Sequence, residues 1–345
     1  MTAIPFFLSC RPAPEIYTVA RTRVLLDTAV TIKIHLPDSS RQAEAGAAIQ
    51  EAFAAIARLD SALSSHRNDS EVAALNRAGA QGGRFTLSAD LDTVLAAALE
   101  VSHRSHGAFD ITIAPVLALW HFGTDSAQVP AAEAIRARLA HVGYQHLRLT
   151  TAGPGGHAQV VFMQPGMAID LGGLARGFAI DRGIQILRQR GFADVMVAAG
   201  GDVRVHTSGL TAGRQRIQIR HPRAPDRFFA HFKAGGGAMA TCGDYERYLE
   251  QRGRRYHHLL DPQTGYPARA AGTRQQMLSA TVVAPTAMFA EAYANAIFVL
   301  GPEAGIALAE QVERLEALVI YMEAGKLRWR ATENFKKRLE EVAEE

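Results

Sequence analysis

The segment from Thr286 to Leu300 is apolar nearly all the way round: Met288, Phe289, Ala292, Ile297, Phe298 and Leu300 cover every side of a helical wheel. A helix of this kind cannot lie on a surface. It must be enclosed, so the chain has to build structure on more than one side of it. With 345 residues there is length enough, as one large domain or two smaller ones. Glu291 and Asn295 are the polar exceptions, one turn apart on one face. A buried carboxylate without a partner is costly. The pair therefore calls for a hard cation such as Mg²⁺, which two oxygen donors can hold, or for an arginine from elsewhere in the chain.

The elements around that helix follow no regular strand–helix–strand rhythm. Alternation predicts a strand over 23–36, and apolar spacing predicts a helix over 41–63. Ser88 is a candidate N-cap for a helix that Gly107 ends, and a further helix is expected over 131–142. Strands follow near 147–150 and 159–163, then a helix over 173–190 stopped by Gly191. Strands are expected over 195–198, 203–207, 216–220 and 228–233, and again near 278–283. After the apolar helix come a helix over 302–314 and strands at 318–322 and 326–330. Consecutive strands mixed with helices argue for an α+β fold rather than a doubly wound sheet.

Several function classes can be set aside. The net charge of +3 comes without a basic stripe; the Lys336-Lys337-Arg338 run reads as a solvated helix face, so no nucleic-acid partner is expected. The two cysteines, Cys10 and Cys242, are far apart and form no Cys-x-x-Cys pair, which excludes a cysteine zinc site and a thioredoxin-like motif. The glycine-rich dinucleotide fingerprint, the P-loop, His-Glu-x-x-His and the Gly-x-Ser-x-Gly elbow are all missing. No apolar run is read as approaching the roughly 18 residues of a bilayer span, so at most peripheral anchoring is expected. At the N-terminus a short apolar stretch ends in Ser9-Cys10 and is followed by Arg-Pro-Ala-Pro. Residues 1–20 read as a tail or as the remnant of a lipoprotein signal with Cys10 as its lipidation site, although a basic n-region is missing. A periplasmic or inner-membrane lipoprotein is expected if the start is truncated, and a cytoplasmic protein otherwise; residues 21–345 read as a single domain.

Glycine and polar groups concentrate in four segments. Gly107-Ala-Phe-Asp110 places an acid beside an aromatic just after a helix stop, either to meet a ligand or to cap the next element. Met167-Ala-Ile-Asp-Leu-Gly-Gly-Leu-Ala-Arg-Gly177 leaves an expected strand and opens a helix; the free amides there favour an anion, and Arg176 in the first turn can pair with a phosphate. Asp170 as a simple N-cap is the alternative. Ala199-Gly-Gly-Asp202 reads more simply as a turn with a structural Asp202 and Arg204. Last, His257 and His258 enter the turn Asp261-Pro-Gln-Thr-Gly265, which can deliver one imidazole into a cleft for proton transfer, beside Asp261 and Tyr256.

Taken in order, Ala108-Phe-Asp110, Asp170-Leu-Gly-Gly-Leu-Ala-Arg-Gly177, Gly200-Gly-Asp202, Ala240-Thr-Cys-Gly-Asp-Tyr245, His258-Leu-Leu-Asp-Pro-Gln-Thr-Gly265 and Glu291-Ala-Tyr-Ala-Asn295 resemble the FAD:protein FMN transferase (ApbE-like) family. The resemblance runs from about Leu25-Leu-Asp-Thr28 to the strands near Trp329. It implies a T-fold-like α+β architecture of two similar halves around a flavin site, and a Mg²⁺-dependent transfer of FMN from FAD to a Thr or Ser hydroxyl, with release of AMP. By position, Leu26, Ala108, Phe109, Asp110, Asp170 and Arg176 would contact FAD. The metal ligands would be Gly173, through its carbonyl, Glu291 and Asn295. His258 would be the catalytic base, with Arg176 and Asp261 as further catalytic residues. Acceptors would be flavoprotein subunits, of membrane electron-transfer complexes. Three positions depart from the family pattern: Arg176 stands where Lys is usual, and Glu291 and Asn295 stand where the family has Asp and Thr. The alternatives are an FAD pyrophosphatase, with water as acceptor, and an FAD-binding protein without catalysis.

Overall fold

A computed structural model describes residues 16–150, 157–213, 215–268 and 275–343. Cys10 and most of the 1–20 tail lie outside the described residues; from Tyr17 onward the chain is already strand. The first half runs β1 (Tyr17–Leu25), β2 (Thr28–Leu36), α1 (Gln42–Leu63), α2 (Glu71–Ala80), β3 (Arg84–Thr86), α3 (Ala89–Arg104), α4 (Ala114–Trp120), α5 (Ala132–Leu139), β4 (Leu147–Thr150), β5 (Gln159–Phe162) and α6 (Ala175–Gln189). It continues with β6 (Val195–Ala199), β7 (Asp202–His206), β8 (Gln215–Arg220), β9 (Phe228–Ala234), β10 (Gly237–Gly243), β11 (Tyr248–Gln251) and β12 (Arg254–His257). The last part is β13 (Gln276–Ala284), α7 (Ala287–Gln311), β14 (Glu316–Glu323), β15 (Lys326–Ala331), α8 (Glu333–Lys336) and β16 (Leu339–Glu340).

Among the described residues the centre is an eight-stranded sheet in the order β1-β2-β6-β7-β10-β13-β14-β15, with every pairing antiparallel. This is the α+β class expected. The two halves of the chain meet where β7 pairs with β10, so one sheet passes through both. Alternation decides its faces. Val30, Ile32 and Ile34 of β2, Val195 and Val197 of β6 and Ala238 and Ala240 of β10 turn towards α1, α6 and α7. Val203 and Val205 of β7 and Met239 of β10 turn the other way, against the small sheet β16-β9-β8 and Phe335 of α8.

The apolar helix is enclosed as its composition demands. By length and hydropathy α7 resembles a bilayer-crossing helix, contrary to the reading that no run approaches that length, yet 61% of its most apolar window is buried inside the protein. It packs on β10, β13 and β14 and crosses α6. Gly301 breaks it with φ 83°, immediately before Pro302, which is where the two separately expected helices divide. Two expectations fail locally. The strand over 23–36 is a hairpin whose turn, Leu26 and Asp27, has both residues in the left-handed region (φ 55° and 56°), held by the Leu26 N–H donating to Asp60 Oδ2 at 2.9 Å. Residues 167–170, read as a strand leading into α6, are an unpaired extended segment pinned by side chains.

Candidate active site

The segment 167–170 owes its position to α2, a helix that the sequence reading passed over. Asn76 on that helix donates through Nδ2 to the Ile169 carbonyl (2.9 Å) and accepts at Oδ1 from the Ile169 N–H (2.8 Å). Asp170 follows. Its N–H donates to the Ile111 carbonyl, its Oδ1 accepts from the Gly172 N–H at 2.9 Å, and its Oδ2 accepts from Ser65 Oγ at 2.8 Å. It is therefore not the N-cap of α6, which is Leu174 with no capping side chain of its own.

That helix end is capped from a distance. Glu291 of α7 accepts through Oε2 from the Gly177 N–H at 2.8 Å. Leu174 and Ala175 donate to the Leu171 carbonyl, so several of the amides expected to meet a phosphate are already engaged. An anion does sit at the α6 N-terminus, as helix electrostatics favours, and it is the carboxylate of Glu291. The two helices come this close because residue 177 is glycine: a Cβ there would lie 2.3 Å from the Ala287 carbonyl oxygen. In return Asp181 of α6 caps α7, accepting from the Ala287 and Met288 N–H groups at 2.8 and 3.0 Å while pairing with Arg204 at 2.6 Å. Neither Asp181 nor Arg204 was foreseen in this role, since the amides Asp181 caps lie over a hundred residues away.

Arg176 joins the other expected metal and phosphate residues. Its Nη1 donates to Asp202 Oδ2 at 3.2 Å, and its Nη2 lies 3.7 Å from Glu291 Oε1. Both carboxylates are buried, and burial together with their mutual repulsion pushes the pair towards holding a proton, against the pull of Arg176. Asn295 Nδ2 lies 3.4 Å from the Gly173 carbonyl and 2.9 Å from the Glu291 carbonyl. Gly173 also touches Phe109: a Cβ there would come 2.9 Å from the Phe109 ring. The arginine alternative for Glu291 is thus realised, together with the convergence of Gly173, Glu291 and Asn295.

These residues fit a hard cation. One guanidinium faces two buried carboxylates that are pushed towards holding a proton, and a cation can take the place of that proton. Asn295 donates through Nδ2 to both carbonyls, so its Oδ1 would join a cation only after the amide turns over and gives up those two bonds. Among the described residues no three His, Cys, Asp or Glu side chains cluster as a metal site. The donor set is carboxylate, carbonyl and amide oxygen, which suits Mg²⁺ better than a transition metal.

Of the two adjacent histidines, His257 is buried against Phe298, with ring centroids 5.2 Å apart. His258 is only partly buried. Its Nδ1 lies 3.1 Å from the Arg247 carbonyl, which fixes that nitrogen as the protonated one and leaves Nε2 with a lone pair. Burial lowers its pKa to about 4; the hydrogen bond to the Arg247 carbonyl and the charge of Asp170 oppose this, while the charges of Arg247 and Arg176 add to it. The ring is thus neutral at pH 7 and within electrostatic reach of Arg176 and Asp170.

Two expected site residues have other work. Asp261 builds the turn: its carboxylate accepts from the Gln263 N–H (2.9 Å) and from Thr264 Oγ1 (3.2 Å), so it shapes the loop carrying His258. Asp110 is 7% exposed; its Oδ1 accepts from the Thr112 N–H and hydroxyl and its Oδ2 from the Tyr144 N–H, and burial raises its pKa. It caps the short turn 111–113 and does not present a free carboxylate to a ligand. Ala108 and Phe109 beside it are buried. Leu26 lies at the β1–β2 turn, one residue from Asp27 and two from Thr28, which lies close to Gly200, itself next to Arg176 Nη1. Asp244 of the segment 240–245 is fully buried and holds Arg223 in a two-point ion pair at 2.8 and 2.6 Å.

Comparison with known proteins bears on this arrangement. The profile of the ApbE family matches residues 26–319. A relative from Treponema pallidum (strain Nichols), named FAD:protein FMN transferase, is 31% identical over 328 residues, covering 91% of this chain and 87% of its own. One of the same name from Escherichia coli (strain K12) is 29% identical, covering 93% and 90%. Among solved structures, the flavin transferase ApbE from Vibrio cholerae superposes with a TM-score of 0.78 at 27% identity, covering 94% of this chain and all of that one. The ligand-free flavinyl transferase ApbE from Pseudomonas stutzeri gives 0.78 at 29% identity, over 94% and 97%.

Proposed function

The chain belongs to the ApbE family, and from that premise we propose that it is an FAD:protein FMN transferase that uses Mg²⁺. The acceptor hydroxyl, from a Thr or Ser of a partner flavoprotein, attacks the FMN phosphorus of FAD. A new phosphoester bond forms to the acceptor oxygen, the bond between the FMN phosphorus and the bridging oxygen breaks, and AMP departs with that oxygen.

The observation that carries this reading is His258. Its Nδ1 is committed to the Arg247 carbonyl, so Nε2 is the atom that takes the acceptor proton. The Asp261 turn and the Trp120 Nε1 bond to the Gly265 carbonyl at 3.1 Å hold the loop on which the ring rides. Arg176 supplies a guanidinium for phosphate oxygens. Gly173, Glu291 and Asn295 would hold the cation, which when bound neutralises charge on the pyrophosphate. Flavin-carrying subunits of membrane electron-transfer complexes are the acceptors we assign to this chemistry.

The test is direct. Purified protein incubated with FAD, Mg²⁺ and an acceptor flavoprotein carrying the target Thr should raise the acceptor mass by one FMN, and His258→Ala should abolish the gain. AMP released at the same rate without acceptor would replace the reading by a pyrophosphatase. Tight FAD binding with neither product would replace it by a carrier.

A further inference from the structure

Arg176 stands between two buried carboxylates and treats them unequally. The Asp202 contact is a hydrogen bond at 3.2 Å, whereas the Glu291 contact, at 3.7 Å, is an ion pair without one. Asp202 is 2% exposed, and its other oxygen accepts from the Thr241 N–H at 3.2 Å on the neighbouring strand β10. It opens β7 opposite Ala199, across the bend of Gly200 and Gly201, whose φ values are 59° and 99°. A Cβ on Gly200 would lie 3.0 Å from Arg176 Nη1, so this bend is what leaves room for the guanidinium. The chain therefore fixes Asp202 from three sides and lets Arg176 reach Glu291 only loosely.

From this geometry we propose that Asp202 is a positioning residue that anchors Arg176, and that Arg176 is a built-in counter-ion of Glu291, yielding to a divalent cation and turning its free edge to the pyrophosphate. The inference rests on the transferase reading of the same pocket and deepens it. A guanidinium and a divalent cation at Glu291 compete for one carboxylate. Without ligands, Arg176 keeps Glu291 from being a buried, uncompensated charge. When a cation takes that place, Nη2 loses its partner while Nη1 stays on Asp202, so the side chain pivots and need not swing away. The cation alone is then opposed by Arg176, whereas cation and phosphate together favour each other. No covalent bond changes.

The experiment is a Mn²⁺ titration followed by electron paramagnetic resonance on the full chain, with and without ADP as the pyrophosphate probe and with free Mn²⁺ corrected for the Mn–ADP complex. Wild-type protein should bind Mn²⁺ about tenfold more tightly when ADP is present. Arg176→Gln should bind Mn²⁺ alone more tightly than wild type and lose the ADP effect. Asp202→Asn keeps the Arg176 charge and the acceptor for Thr241; it should bind Mn²⁺ alone more weakly and lose most of the ADP effect, because the guanidinium is no longer anchored. Arg176→Lys, which keeps charge without the two-pronged reach, should retain weak binding of Mn²⁺ alone and show a reduced ADP effect, and circular dichroism melts of all variants check the fold. The proposal is overturned if Arg176→Gln and Asp202→Asn shift Mn²⁺ affinity in the same direction, or if Asp202→Asn keeps the full ADP effect. Equal Mn²⁺ binding by every variant overturns it alone; Mn²⁺ binding by none, even with ADP, overturns it together with the metal part of the transferase reading.

Discussion

Asp181 and Glu291 occupy matching places on two crossing helices. Each caps the N-terminus of the other helix, and each faces an arginine. The Asp181 pair is closed: one carboxylate, one guanidinium at 2.6 Å and two amides leave no charge over. The Glu291 pair is open, because its guanidinium is shared with Asp202 and stands 3.7 Å away. The same capping device thus serves as architecture at one end of the crossing and as a charged pocket at the other. The difference lies in the second carboxylate brought in by β7.

The largest effect comes from breaking both ends together. Gly177→Ala would put a methyl group 2.3 Å from the Ala287 carbonyl oxygen and 2.6 Å from the Met288 nitrogen, both backbone atoms that cannot move alone. Separating the helices loosens both caps, so unfolding in urea should show a loss of about 4 kcal/mol, or no folded protein. A loss under about 1 kcal/mol would show that the crossing is softer than the two caps imply.

Next comes the contrast between the ends. Asp181→Ala leaves Arg204 unpaired and two α7 amides uncapped, and should cost about 3 kcal/mol without changing Mn²⁺ affinity by more than about twofold. Glu291→Gln keeps an acceptor for Gly177 and relieves the repulsion with Asp202, so it should cost about 1 kcal/mol or less, yet abolish Mn²⁺ binding. Reversed outcomes, with Glu291→Gln the more destabilising, would make Glu291 the structural member of the pair.

How much of this was readable beforehand depends on the range of each contact. The enclosure of α7 and its break at Gly301-Pro302 follow from local composition. Spacing alone paired Glu291 with Asn295, whereas their gathering with Gly173 and Arg176 was implied by the family resemblance and not by any local rule. For Asp110 and Asp261 the capping and turn-building readings, open from the sequence, are the ones their hydrogen bonds bear out: an Asp two residues before an N–H it can accept from, or before Thr-Gly, builds its own turn. The β1–β2 turn escaped notice because Leu26 is not a residue that favours a left-handed bend, and Asp60, far along the chain, holds it. Asp181 and Asp202 draw their meaning from strands and helices that only the folded topology brings near.

A pH series separates the pocket from the frame. The folded pKa of His258 is about 4, below its ordinary value of 6.5. Below pH 6.5 the unfolded chain gains a proton that the folded chain refuses, so the stability this ring contributes is complete above pH 6.5 and is lost as pH falls to about 4. The loss should be about 2 kcal/mol, smaller than the full displacement would give because the ring keeps some contact with solvent. His258→Gln should flatten that part of the melting-temperature profile. An unchanged profile would mean that the imidazole is already solvated like a surface histidine.

The smallest effect locates the edge of the open end. Ser65→Ala removes one donor from Asp170, which keeps the Gly172 N–H and its own backbone bond to Ile111. The hydroxyl is part-buried and the bond neutral-to-charged, so the stability change should be about 1 kcal/mol, well short of Asp181→Ala. If Asp170 faces the flavin nucleotide, the freed carboxylate oxygen changes FAD affinity, seen as a shift in KM with kcat held, while Mn²⁺ binding stays as in wild type. A stability loss as large as that of Asp181→Ala, with KM unchanged, would instead assign Asp170 to the frame and draw the boundary of the pocket at Arg176.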